Sequence, residues 1–251
     1  MTRWFVVLLV LVGAGYALKR WSGGPAPAGP GSAPHRVSYE LRWALGGAAA
    51  REQGFVIERA DGRVEVDALA VVTISMSLVP CAPPKPPTAL WDAVIPVARA
   101  GHSIAPDPAQ LEAPVVDAYG AESSLSFGSR DLAGNRYCKV HWLVARGPGR
   151  GPHDLSRAGW AGQSLRVSGR FVPLKGAPVP FEWQTGLANG AFRDLPALPD
   201  AGALTVRLIR RVDTLFDGVD FMALPGPGPD IRPRKVLSNL FLATTLEAVS
   251  G

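Results

Sequence analysis

Residues 61–81 read DGRVEVDALAVVTISMSLVPC, and this stretch decides the fold. Asp61-Gly62 tolerates the positive φ that a tight hairpin turn requires. Beyond it Val64, Val66, Ala68, Ala70, Val72, Ile74, Met76 and Leu78 keep one parity, a period of two that a helix does not produce. The expected element is a long half-buried strand that ends at Pro80-Cys81, paired back across the turn with Phe55 to Arg59.

The same period recurs on both sides. Val37, Tyr39, Leu41 and Trp43 alternate with Ser38, Glu40 and Arg42. After Gly134-Asn135, a strand from Arg136 to Ala145 is expected to turn Cys138, Val140, Trp142 and Val144 inward and Tyr137, Lys139, His141 and Leu143 outward. Further strands are expected around Leu90 to Val97, over Leu165 to Phe171, over Val179 to Thr185 before an Asn189-Gly190 turn, over Leu204 to Ile209, and over Thr244 to Val249. Ala82 to Pro87, His102 to Pro114 and Gly147 to Pro152 read as irregular, and Val115 to Phe127 fits no single pattern. Two short helices are expected near the C-terminus. One is capped by Asp213 or Thr214 and runs through Phe221; the other carries Val236, Leu237, Leu240 and Phe241 on one side. Many short strands, turn signals and few helices predict a mainly β fold, a single antiparallel β-sandwich with one or two short helices near the C-terminus.

Composition agrees with that reading. In 251 residues there are 28 Gly and 24 Pro, with 47% hydrophobic and 19% charged residues, which is globular and rich in turns. The net charge of +5 suits an anionic membrane surface or an acidic partner. Nucleic acid is not indicated: the small basic groups at Arg207, Arg210, Arg211 and at Arg232, Arg234, Lys235 lack a recognition helix or an RNA-binding signature.

The N-terminus has the layout of an export signal. Arg3 precedes an apolar run from Trp4 to Leu18, followed by Lys19, Arg20 and Trp21. The run is shorter than the roughly 20 residues of a comfortable membrane span, although Trp4 and Trp21 as interfacial anchors extend it. Residues 1–21 are therefore expected to be a signal peptide or an N-terminal membrane anchor. The basic pair after the small residues Gly15 and Ala17 favours the uncleaved form. A Gly/Pro/Ala-rich linker over 22–35 and one β-sandwich domain over 36–251 complete the expected organisation. The domain is expected to be periplasmic or otherwise extracytoplasmic, tethered to the inner membrane.

In such a compartment Cys81 and Cys138 are natural disulfide partners; the alternative is thiolate ligation of Cu(I), which is soft enough for sulfur. Three histidines fall in the domain, His102, His141 and His153, and three imidazoles can hold copper or zinc. No paired HxH or HxxxH spacing forces them together, so they read equally as separate surface residues. Asp213, Asp217 and Asp220 would share one face of a helix, either as oxygen ligands or an acid/base group or as its solvated side. Trp43, Trp91, Trp142, Trp160 and Trp183 are expected to pack in the core. Gly147, Gly149 and Gly151 lack the setting of a phosphate loop, and no GxSxG or HExxH run occurs.

Taken in order, the strand Val37 to Trp43, the long strand ending at Leu78, the segment Gly134 to Trp142, the run Val206 to Phe221 with its Leu-Phe-Asp-Gly-Val-Asp core, and Val236 to Leu242 resemble the MbnP-like, or metallo-mystery pair, family of exported copper-binding β-proteins. The resemblance spans most of residues 37–242 in short apolar pieces. It implies a periplasmic copper-binding protein working beside a di-haem, peroxidase-like partner that can oxidise a tryptophan; with the compartment and the histidines, the expectation is a membrane-tethered, non-enzymatic domain that has copper as its cofactor, held by some of His102, His141 and His153. Two departures bear on the copper site: the family typically has four cysteines where this chain has two, and Phe181-Glu182-Trp183 stands where a histidine-bearing strand would fall. The alternative expectation is a metal-free structural or protein-interaction module of the bacterial envelope.

Overall fold

In the computed structural model, residues 35–81, 110–120, 124–132, 137–147, 159–195, 203–223 and 230–250 are described. They form strands β1 (His35–Ala44), β2 (Ala49–Ala50), β3 (Phe55–Arg59), β4 (Gly62–Pro80), β5 (Gln110–Ala118), β6 (Leu125–Leu132), β7 (Tyr137–Val144), β8 (Leu165–Pro173), β9 (Val179–Thr185), β10 (Asn189–Asp194), β11 (Ala203–Arg211) and β12 (Thr244–Ser250), with helix α1 (Arg232–Ala243) before the last strand. All lie within one compact unit, Ala33–Gly251. The expected strand at Leu90 to Val97 falls outside the described residues, as do the apolar run 4–18 and most of the linker. Among the described residues no helix is long and apolar enough to cross a membrane.

Two sheets face each other across a shared core. The smaller has the order β12-β11-β1-β6, and the larger is organised around the 19-residue β4. The first part of β4 runs between β3 and β8, its last part between β5 and β7; β2, β9 and β10 extend the sheet outward from β3, β8 and β7. Nearly all pairings are antiparallel, as expected. Among the described strands the exception is β1 with β11, which are parallel from Arg36↔Ala203 to Ala44↔Arg211; an isolated bridge between Gly147 and Ala161 is parallel too.

The long strand does not keep one parity. Register shifts between Val66 and Ala68 and between Thr73 and Ser75 insert an extra residue each time, and every such bulge exchanges the faces. The core side is therefore Val64 and Val66, then Leu69, Val71 and Thr73, then Met76 and Leu78, all buried. Ala68 lies exposed and Ala70 half-buried on the outer face. A third shift, between Val79 and Pro80, has the same effect on β7: Tyr137 is buried and Cys138 is exposed, the reverse of the expected orientation, while Val140, Trp142 and Val144 point inward.

The expected helix over 213–221 is instead a run of tight turns closed by Leu215 N–H to Val212 O, Asp217 N–H to Thr214 O and Val219 N–H to Phe216 O. Gly218, at φ +65°, interrupts any helical path. The carbonyls a helix would use internally are taken from outside: Arg59 donates to Phe216 O at 2.6 Å and to Val219 O at 3.3 Å, and Asn239 Nδ2 of α1 donates to Leu215 O and Asp217 O, both at 2.9 Å. The turns thus seat Phe216 and Phe221 against Phe171, Phe181 and Trp183. In the second helical segment α1 buries Val236, Leu237, Leu240 and Phe241, and Trp142 stacks on Phe241 at 5.9 Å. Asn189 and Gly190 belong to β10 and not to a turn.

Candidate functional site

Between the sheets lies a buried polar cluster. Arg210 comes from β11, and its guanidinium pairs with the Asp117 carboxylate of β5 and donates to Thr73 Oγ1 of β4 at 2.7 Å. Asp117 also accepts the Trp43 indole N–H at 2.7 Å, and the guanidinium lies over the Trp43 ring, 5.5 Å from its centroid. Arg210 is 1% exposed and Asp117 2%. Burial pushes the Arg210 guanidinium down to about 9, because desolvation disfavours its charged form. Each charge has partners inside the protein, which makes the cluster a bolt between the two sheets.

The outer face of the larger sheet is different. Around the outward-turned Ala68 and Ala70 a pocket of about 290 Å³ opens, flanked by Ser168, Glu182, Gln184 and the guanidinium of Arg166. Pairing places them in rows: Ala70 beside Arg166 beside Gln184, and Ala68 beside Ser168 beside Glu182. Arg166 is held back from the floor, over the Trp160 ring at 4.7 Å and donating to Gly159 O. Its Nε is buried without an acceptor, as is Gln163 Oε1 without a donor. Glu182 is exposed and has no partner among the described residues.

Elsewhere on this face charges are paired. Glu65 accepts from Arg63 at 2.8 Å and from Arg170 at 2.6 Å. Burial alone would raise its carboxyl, but the hydrogen bonds and charges of Arg170 and Arg63 prevail and hold it below the usual range. Asp67, at the edge of the pocket, accepts from Arg51 at 3.2 Å.

Of the three expected histidine ligands, His102 and His153 lie outside the described residues. His141 stands on the outer face of β7, directly opposite Phe192 of β10, with ring centroids 4.5 Å apart. Among the described residues no group of three or more His, Cys, Asp or Glu side chains converges. Burial lowers the His141 pKa from its ordinary 6.5, because the packed ring disfavours charge. As pH falls below that value the unfolded chain takes up a proton that the folded chain resists, so stability declines. Urea unfolding from pH 7.5 down to 5 should show this decline, and His141→Gln should flatten it; a slope unchanged by the substitution would remove His141 as its source.

Cys81 and Cys138 form a disulfide with Cα atoms 4.8 Å apart, joining the end of β4 to the start of β7. The three aspartates separate. Asp213 accepts from Arg211 and from Gly47 N–H at 3.1 Å, closing the Gly46-Gly47 turn, where any Cβ on Gly46 would strike its carboxylate. Asp220 accepts from Met222 and Ala223 N–H, and Asp217 is exposed. Their common face was contingent on a helix that does not form.

Two features were not anticipated from the sequence. In the sequence Arg210 belongs to a small basic group with Arg207 and Arg211, and Asp117 lies in a segment with no clear period; the alternation of Leu204, Val206 and Leu208 does, however, place Arg210 on the inward face. The pocket floor depends on the bulge at Asp67, which has no sequence signature. Comparison of the chain with protein-family models, curated proteins and solved structures finds no match.

Proposed function

We propose that the chain is an extracytoplasmic, non-enzymatic β-sandwich that serves as a binding module of the bacterial envelope, with the pocket on the outer face of the larger sheet as its working surface. The observation that carries this reading is the pairing pattern there: Glu65 and Asp67 are matched by arginines, whereas Arg166 and Glu182 border one cavity without matching each other. The disulfide supports an oxidising compartment, and the dispersal of Asp213, Asp217 and Asp220 removes the acid/base grouping that the sequence offered. Carbodiimide labelling of Glu182 is expected to be slower in intact envelopes than in the purified full-length protein, because a bound partner or ligand shields it. Equal rates would count against the reading. In the same cells both cysteines should resist alkylation until a reductant is added; free thiols would refute the compartment.

A second reading has one observation in its favour. Burial disfavours the charged form of His141, and a neutral imidazole is the form that ligates metal. With His102 and His153 it would form a copper site, and the family resemblance would add a di-haem, peroxidase-like partner; a membrane tether through residues 1–21 would rest on their apolar run instead. Copper titration of the full-length protein beside a variant lacking all three histidines separates the two readings: equal binding by both proteins removes this site.

A further inference from the structure

Opposite charges that are diagonal neighbours on one face of an antiparallel pair are within reach of each other when their side chains are long. Arg166 and Glu182 have this relation across β8 and β9, since Arg166 pairs with Gln184 and Ser168 with Glu182. Yet Arg166 turns away, fixed by the Trp160 ring and by Gly159 O. The cavity that both charges border is floored by small side chains, Ser168 beside them and Ala68 and Ala70 on the neighbouring strand β4. The result is a cavity with a preset cation on one wall and a carboxylate on another.

Its chemistry narrows the occupant. At about 290 Å³ it sits near the lower end of small-molecule pockets. Ligands that stack flat on an aromatic ring are poorly served: Trp160 is 9% exposed and already faced by a guanidinium, and Trp183 is 7% exposed within the core cluster of Phe181, Phe216 and Phe221. A simple anion would meet Glu182 and Asp67, and a simple cation would meet Arg166. A ligand carrying both charges satisfies both walls, and a carboxylate is the natural match for a guanidinium edge.

We infer that this pocket takes a small zwitterion of the size of a free amino acid, its carboxylate directed to Arg166 and its ammonium to Glu182; this rests on the binding-module reading above. The test is an NMR titration of isotope-labelled full-length protein with glycine, β-alanine and 4-aminobutyrate, and with propionate and propylamine as singly charged counterparts. The indole N–H of Trp160 and the side-chain amide of Gln184 are the reporters. At least one amino acid is expected to bind saturably and about tenfold more tightly than either singly charged probe. Glu182→Gln, at an exposed position where folding should be unaffected, is expected to reduce that amino acid to the level of propionate. Arg166→Lys, which keeps the charge but loses the planar fork, should weaken it less than Arg166→Gln.

Singly charged probes that bind as well as the amino acids, no saturable shift at either reporter, or an unchanged affinity in Glu182→Gln would each overturn the inference. Its failure is distinct from that of the binding module. If the titrations fail while Glu182 is still shielded in envelopes, the module stands with a different occupant. If shielding is also absent, both fall.

Discussion

Replacing Asp117 by alanine is expected to lower the stability of the domain by about 3–5 kcal/mol, the cost typical of leaving one member of a buried ion pair without the other. The reason is specific to this position. Arg210 is 1% exposed, so its guanidinium cannot turn to water when the carboxylate is gone, and Thr73 Oγ1 and the Trp43 ring do not neutralise it. The Trp43 indole N–H would lose its acceptor in the same step. A shift in the urea midpoint at constant slope is the measurement. The double variant Asp117→Leu with Arg210→Met removes both charges and should recover most of the loss. A single variant that costs less than about 1 kcal/mol, the range of a surface pair, would show that the site is hydrated and the bolt illusory.

Loss of the disulfide is the second large effect. The 57-residue separation of Cys81 and Cys138 makes the bridge worth about 4 kcal/mol on chain-entropy grounds, within a usual range of about 2–5. The loop it closes contains β5 and β6, the strands by which the chain passes from the larger sheet to the smaller. Cys81→Ala with Cys138→Ala should therefore lower the urea midpoint markedly. Because Cys138 lies on the exposed side of the bulged strand, reductant added to the wild-type protein should produce the same midpoint without prior unfolding. If reduction has no effect until the protein is unfolded, the bridge is shielded in a way its position does not suggest.

Most of the architecture could be read from periodicity, and its failures share one cause. Alternation identified β1, β4, β7, β8, β9, β11 and β12, because a half-buried strand must alternate. It misassigned Ala68, Ala70 and Cys138 because a bulge adds one residue without changing composition, and one residue is enough to invert a face. The 213–221 segment was misread for another reason. Its apolar spacing suits a helix, but Arg59 and Asn239, distant in sequence, compete for its carbonyls. The candidate site was legible only in part. Cys81 and Cys138 followed from compartment logic. The Arg166 and Glu182 walls depend on which strands pair and where the bulge falls, and Arg210 with Asp117 depends on two sheets meeting, information that no local window contains.

The parallel pairing of β1 with β11 has a kinetic consequence. β1 is the first strand among the described residues, yet it lies inside the smaller sheet, with β6 on one side and β11 on the other. A chain that emerges N-terminus first must carry β1 half-unpaired until residues 203–211 arrive, and contacts of such sequence separation are slow to form. The hairpin of β3 and β4 can form early, but the smaller sheet cannot. The smaller sheet of the sandwich therefore closes late, once residues 203–211 and their partner strand β12 are available to complete it.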